Sequence, residues 1–563
     1  MPLLPRFAGA LLALALVALA PSVHATSPAP AFTAGLIDET QEFFPDSRLD
    51  QPARELTVHV ARRTLAGVHV LVTGVTPGRP VQLAVSRDGQ PATDGRWFRF
   101  LDVPVAENTG LDRNTEKYSG QINPHVVRRA PFRVYDPFEP VSSPVDSPVT
   151  TLALRFEVPI PADATPGEQV YRLTLACGDA SAELQFKVVV HQATVPPLTQ
   201  PGIAYINWHN LDNVCSAHRV EKWSEPFWSM LERYAQLMAR GRQNAFWFNW
   251  PDFFTFDARG NVVTFHRARL ERYIRTFLSA GLTTIHGAPM CGRRTWGEEA
   301  MLLYVTIPDT KEIDAVSDLA KHMLRQMSRE LVAVMRENGW DRAWVQGVFD
   351  EPEDPFVARY RELITVLREA KPDLRILEAT MTTNVTGLVN IWCPQVHEYQ
   401  KHREFFAARQ AAGDQVWVYT CLVPGGPWLN RLLDQERLRQ VYLAWACAKF
   451  DLQGFLHWGG NFHTERPFEE LVRYHIPGQF LPAGDSHVFY PGKDGPLSSH
   501  RFEAHRLGFE DYELLAQLKA RDPQRAAALI DELVQGFDRY RAEVPAYRAT
   551  KLRLLEAVDA LAR

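Results

Sequence analysis

The stretch RAWVQGVFDEPEDP, Arg342 to Pro355, runs apolar into two adjacent acids, Asp350 and Glu351, and is closed by Pro352. Two acids held side by side by the backbone can divide the work of proton transfer. Like charges at that range push one pKa up, so one carboxyl stays protonated as an acid while its neighbour remains ionised. A plainer role competes, the capping of a following helix, but Asp354, just before Pro355, fits that role better. Side chains alternate along a strand, so Gln346, Val348 and Asp350 share one side and Phe349 and Glu351 the other. Two neighbours cannot both point inward from a regular strand. The chain must therefore leave β geometry here, and Pro352 is expected to hold Glu351 at extended or polyproline-like angles.

Similar residue types recur at the ends of other apolar runs. GIAYINWHN ends in Asn207, Trp208 and His209; NAFWFNW in Asn249 and Trp250; TTIHGAPM carries His286. VNIWCP holds Trp392, with Glu398 and Tyr399 just beyond; QVWVYTC holds Tyr419; LHWGGNFH holds Trp458, Asn461 and His463. Aromatic faces stack on sugar rings, while amides and imidazoles bond hydroxyls. Core packing explains any one of these aromatics equally well. Their coincidence around an acid pair is what points to a carbohydrate site. The histidines lack metal-ligand spacing, so neither a metal nor another cofactor is expected. No G-x-S-x-G or H-E-x-x-H occurs, which disfavours an esterase or peptidase.

The elements that must position these residues change character at Val195-Pro196-Pro197. Before that point, runs such as ELTVHVAR, GVHVLVTG and SAELQFKVVVHQ alternate and are separated by Gly, Pro and Asp. Residues 32–195 are expected to form an antiparallel β-sandwich, with Asp136 to Pro148 as a long loop. After Pro197, eight strand-like runs alternate with amphipathic segments, the pattern of a (β/α)8 TIM-like barrel over 198–497. The segment between the fifth and sixth runs is too short for a regular helix. Helices are expected over 498–563. The acid pair then lies at the end of the fourth barrel strand, on the face where barrel enzymes build their sites.

Composition bounds the partners. The 563 residues are 46% hydrophobic and 23% charged, with a net charge of −5 and no Lys/Arg block, so a nucleic-acid partner is not expected. Residues 1–25 read as a signal peptide: Arg6, an apolar run from Phe7 to Leu19, and small residues before a cleavage point near Ala25. The mature protein is expected to be exported, periplasmic or secreted, with no lipoprotein cysteine and no membrane span. Six well-separated cysteines with no C-x-x-C pair suggest free thiols; if any pair bridges, Cys393 and Cys421 are the candidates.

Three stretches together carry a family resemblance: DEP after the fourth strand, GFLHWGGN at the eighth, and YPGKDGPLSSHRFEAHRLGFEDYELL beyond the barrel. They resemble glycoside hydrolase family 123, which combines an N-terminal β-sandwich with a catalytic barrel. The resemblance implies a retaining exo-β-N-acetylgalactosaminidase in which the substrate's own 2-acetamido oxygen attacks the anomeric carbon. By position, Asp350 would orient the acetamido N–H, and Glu351 would protonate the leaving oxygen and then activate water. Two alternatives stay open. One is a glycosidase for a non-acetamido sugar, with Glu351 as acid and Glu378 or Glu398 as its partner. The other is a non-catalytic carbohydrate-binding protein.

Overall fold

The computed structural model describes residues 32–476 and 479–561; the export segment expected over 1–25 lies outside them. Along Thr64–Thr73, Ala66, Val68, Val70 and Val72 fall on one face and are fully buried, the period of two that a strand imposes. This strand belongs to a seven-stranded sheet ordered Thr33–Asp38, Thr64–Thr73, Thr151–Ile160, Arg96–Val105, Phe132–Val141, Pro496–Ser499 and Tyr490–Pro491. A five-stranded sheet, Glu55–Arg62, Ala180–Thr194, Gly167–Cys177, Gln82–Arg87 and Gln90–Pro91, shares one apolar core with it.

The expected antiparallel sandwich is corrected in three respects. Ala180–Thr194 runs parallel to Glu55–Arg62, with Val188 opposite Val58. Two strands of the larger sheet come from beyond residue 489. Asp136–Val141, expected in a loop, continues a strand from Phe132. Proline is tolerated where no ladder donor is needed: the neighbouring strand Pro496–Ser499 pairs only with Phe138 and Pro137, so Pro140 lies at an edge. Phe138 fixes the segment by packing on the rings of Phe98 and Phe100.

Downstream, eight strands follow in chain order: Ala204–Asn207, Ala245–Phe248, Thr284–Gly287, Trp344–Gln346, Leu377–Ala379, Ile391–Cys393, Gln415–Thr420 and Gly454–His457. All pairings among them are parallel. They form two arcs rather than one continuous ladder. The second to fourth strands make a three-stranded sheet, and the fifth to eighth join the first in a five-stranded one. A lone parallel bridge, Gln346 to Ile376, spans one junction. At the other, Asn244 N–H donates to Tyr205 O and Asn244 Oδ1 accepts from Tyr205 N–H. Ile206, Ala245, Val345, Leu377 and Ile391 gather inside the arcs, while Phe246, Trp344, Trp392 and Val418 pack outward with the helices. The helices Glu225–Arg240, Arg267–Ser279, Asp318–Glu337, Val357–Ala370 and Arg437–Lys449 cover this outer side, and none separates the fifth and sixth strands. Among the described residues no helix is long and apolar enough to cross a membrane. All six cysteines are free, Cys393 and Cys421 included.

The helix His500–Lys519 explains the charged motif past the eighth strand. His500, Arg501, Glu503, His505, Arg506, Glu510, Asp511 and Glu513 are all buried in it. Glu503 bonds Arg240 at 2.9 Å and Arg506 at 2.8 Å; Arg240 reaches Glu157 of the sandwich at 2.6 Å, and Arg155 holds Glu157 and Glu39 at 3.0 Å each. Nearby arginines hold the Glu503 carboxyl well below the usual range against the cost of burial. This network locks the region of parallel strands onto the sheet. Removing one partner of a buried pair leaves an uncompensated charge. Glu503→Ala is therefore expected to cost about 3 kcal/mol or more of stability, read from urea unfolding; an unchanged midpoint would contradict that role.

Candidate active site

The fourth strand stops at Gln346, and the next four residues are steered off it by specific bonds. Gly347 passes close to the third strand: a Cβ there would meet Gly287 O and His286 Nε2 at 3.2 Å. Glu378 Oε2 accepts from Val348 N–H at 3.0 Å and Phe349 N–H at 3.1 Å, and from the Tyr360 hydroxyl at 2.8 Å. Asp350 follows, and Glu351 then adopts φ +54°. The expected extended geometry at Glu351 is thus corrected to left-handed backbone. Tertiary contacts override the local preference imposed by Pro352. Arg293 donates to the carbonyls of both Asp350 and Glu351, and Thr380 Oγ1 to that of Pro352. The departure from β geometry breaks the alternation that would have set the two carboxyls on opposite sides.

Both acids are half-buried. Burial pushes Asp350 up to about 6, opposed by Arg293. Burial and then the charge of Asp350 push Glu351 up to about 7, opposed by a hydrogen bond from Tyr419 and by Arg293. The Tyr419 hydroxyl donates to Glu351 Oε1; burial and the acid's charge raise that phenol far out of its usual range, so it stays a donor. Tyr304 stands on the other flank, its hydroxyl also raised by burial and by the charge of Asp350.

The aromatic wall is built from the first, second and eighth strands. Trp208 and Trp247 stack with centroids 4.6 Å apart and planes within 5°. Trp247 and Trp458 each approach Phe462, at 6.3 and 5.3 Å. Trp458 is half-buried and donates to Asp485 Oδ1 at 3.2 Å. Beside the acid loop, a hollow of about 400 Å³ opens between Glu353–Pro355, Met381–Asn384 and His402.

Other candidates from the sequence have different positions. Asn207 is buried between Gln243 and Arg431, and His209 bonds Tyr273 at 2.7 Å. Asn461 staples the loop at Asn210 through two bonds, and Asn249 is exposed at the mouth of the second strand. His286 is buried with neither ring nitrogen partnered, and burial takes its pKa down to about 3, so it is neutral. Trp392 and Tyr399 do not reach the cleft. Trp392 points outward from its strand, bonding Asp414 and packing on Phe405, because Ile391 and Cys393 take the inward positions. Tyr399 packs among Phe406, Phe450 and Phe537. Glu398 lies outside the strands on Val396–Lys401, beside His397, Lys401 and His402. Strand parity signals Trp247, two residues after the inward Ala245; nothing in the sequence marked Arg293 or Tyr304.

Asp350 and Glu351, both pushed up by burial, lie at the C-terminal end of a parallel strand, the kind of setting in which a carboxyl can be kept protonated for acid catalysis. Residues 253–518, which contain both acids and most of the buried charged helix, match the family model described as glycoside hydrolase 123, catalytic domain. Over those residues the chain is similar to glycoside hydrolase family 123, and its chemistry is O-glycosyl bond hydrolysis. A solved family 123 glycoside hydrolase from Clostridium perfringens, studied for glycolipid glycan hydrolysis, shares the fold at a TM-score of 0.72 and 13% identity, over 94% of this chain and 97% of that one. A Parabacteroides merdae β-glucuronidase aligns at a TM-score of 0.34 and 11% identity, over 80% of this chain and 50% of that one, too distant to bear on the site. Comparison with curated proteins gave no match.

Proposed function

We propose that this protein is an exported, retaining exo-β-N-acetylhexosaminidase, N-acetylgalactosaminidase-like, that works by substrate assistance. The observation that carries the reading is the adjacent acid pair, turned out of strand alternation by the left-handed backbone at Glu351, with the Tyr419 hydroxyl on Glu351 and both carboxyls pushed up by burial. In the first step the acetamido oxygen attacks the anomeric carbon, Glu351 gives its proton to the glycosidic oxygen, and the C–O bond breaks. Asp350, ionised, holds the acetamido N–H as positive charge grows on the oxazoline ring. In the second step Glu351, now a carboxylate, takes a proton from water as that water opens the ring with net retention. Two further facts favour substrate assistance over a separate nucleophile. Glu378 is occupied in holding backbone amides and Tyr360, and Glu398 sits on the helix Val396–Lys401, paired with Lys401 at 3.3 Å.

The two parallel arcs would act as one (β/α)8 barrel, closed by the Gln346–Ile376 bridge and the Asn244–Tyr205 bonds. Trp208, Trp247 and Trp458 would supply the sugar-stacking wall, with Tyr419 aligning the acid. The glycans of glycolipids, the class studied with the Clostridium perfringens enzyme, are natural substrates to try. The deciding experiment is a panel of aryl β-glycosides with and without the 2-acetamido group. Turnover confined to the acetamido members supports the reading; equal turnover of the others removes it.

The pH dependence follows from the pair. Asp350 must be ionised, so activity is lost as pH falls through about 6. Glu351 must be protonated for the first step, so activity is lost as pH rises through about 7. The expected kcat/KM profile is a narrow bell between these values, whose limbs belong to the pair and not to either acid alone. A profile flat across both would remove the assignment.

A further inference from the structure

We propose that Arg293 is the positioning residue that holds Asp350 and Glu351 in their working geometry, a role that rests on the hexosaminidase reading above. Arg293 leaves a short hairpin after the third strand, in which Cys291–Gly292 pairs with Leu302–Leu303. This hairpin is fastened to the segment just ahead of the acids. Met290 N–H and Cys291 N–H donate to Val348 O at 3.0 and 3.1 Å, and Cys291 bridges Phe349. The guanidinium then reaches the acids' own backbone. Nη1 donates to Asp350 O at 3.0 Å and Nη2 to Glu351 O at 2.7 Å. Trp296, Phe349 and Phe356 surround it, their centroids 4.8, 5.0 and 4.7 Å from Cζ. Its side chain is 6% exposed, with the Glu353 carboxylate 3.7 Å away.

A residue with a Cβ holds a left-handed backbone only where its surroundings impose it. One planar fork on two successive carbonyls is such an imposition, and a lysine, a point charge on a flexible stem, cannot reproduce it. The same guanidinium is the cation that bears on both carboxyls. The other titratable groups around the pair are neutral or acidic: Glu353 from the same loop, Tyr304 from the hairpin, and Glu378, Cys393, Tyr419 and Cys421 from the fifth to seventh strands and their ends. Arg293 thus contributes geometry through its fork and ionisation through its charge.

Two substitutions in the full chain separate these contributions. Each is measured in two ways: kcat and KM on the aryl β-glycoside that the wild type turns over best, and carbodiimide coupling of glycine ethyl ester to Glu351 across pH, read by peptide mass spectrometry. Carbodiimide reacts with the protonated carboxyl, so the midpoint of labelling reports its titration without any substrate. Arg293→Lys keeps the charge and loses the fork: kcat should fall about tenfold to a hundredfold, with KM and the labelling midpoint little changed. Arg293→Met loses both: kcat should fall at least as far, and the midpoint should rise by about one pH unit or more. The proposal is overturned if both variants keep the wild-type kcat and midpoint. It is equally overturned if kcat falls only in step with the folded fraction seen by circular dichroism while the midpoint in Arg293→Met stays put. A wild type that hydrolyses none of the glycosides defeats the hexosaminidase reading alone, because the labelling midpoints still decide the role of Arg293.

Discussion

Glu351→Gln is expected to reduce turnover of glycosides with poor leaving groups by about a hundredfold to ten-thousandfold, the usual worth of a positioned general acid, while substrate binding persists. The amide is nearly the same shape and its oxygen can still accept from Tyr419, which donates to Glu351 Oε1. What it cannot do is release a proton to the glycosidic oxygen or take one from water. Leaving groups that are already strong acids need less protonation, so aryl glycosides carrying them should be partly spared. The loss should therefore steepen as the leaving group becomes more basic. With one carboxyl of the pair left to titrate, the bell should lose its upper limb, Glu351 being the group pushed up to about 7. Full activity of the variant on a natural glycoside would sink the assignment.

The acid pair was legible because two carboxylates at the end of an apolar run conflict with strand alternation, and that conflict had to be resolved in the backbone. Its resolution was not legible. Local sterics before Pro352 favour extended angles, whereas the fork of Arg293, from a hairpin some sixty residues earlier in the chain, holds Glu351 at φ +54°. The aromatic candidates divided for a related reason. The sixth strand, Ile391–Cys393, is buried on both faces, so hydrophobicity could not say whether Trp392 or its neighbours faced the cleft. Trp247, which stacks on Trp208, lies inside an apolar run where core packing explains an aromatic equally well, whereas Asn249 stands out at the strand's end. The fold was read through period, which is why the eight parallel strands fell where expected. The period is silent in His500–Lys519, a helix buried on all sides. Its charges carry part of the family resemblance in sequence, and in the structure they fasten the sandwich to the strands.

Asp350→Asn is the sharper test of substrate assistance, because the expected loss lies in the chemical step. As the acetamido oxygen attacks, positive charge develops on the amide nitrogen, and a carboxylate beside its N–H stabilises that charge more than a neutral amide can. The gain exists in the transition state and hardly at all in the bound ground state, so kcat should fall with KM little changed. Removing one such contact commonly costs about 3 kcal/mol, a hundredfold or more in rate. The charge of Asp350 is one of the causes that raise Glu351, so neutralising it should lower the upper limb of the pH profile towards the ordinary carboxylic range. A thiazoline analogue of the oxazoline intermediate separates the mechanisms. If the substrate supplies the nucleophile, the thiazoline should inhibit the wild type strongly and Asp350→Asn weakly, since the ionised carboxylate is what its ring nitrogen would meet. If an enzyme carboxylate were the nucleophile, Asp350 would only hold a hydroxyl, and both proteins would ignore the analogue. That indifference would remove substrate assistance while leaving Glu351 as the acid.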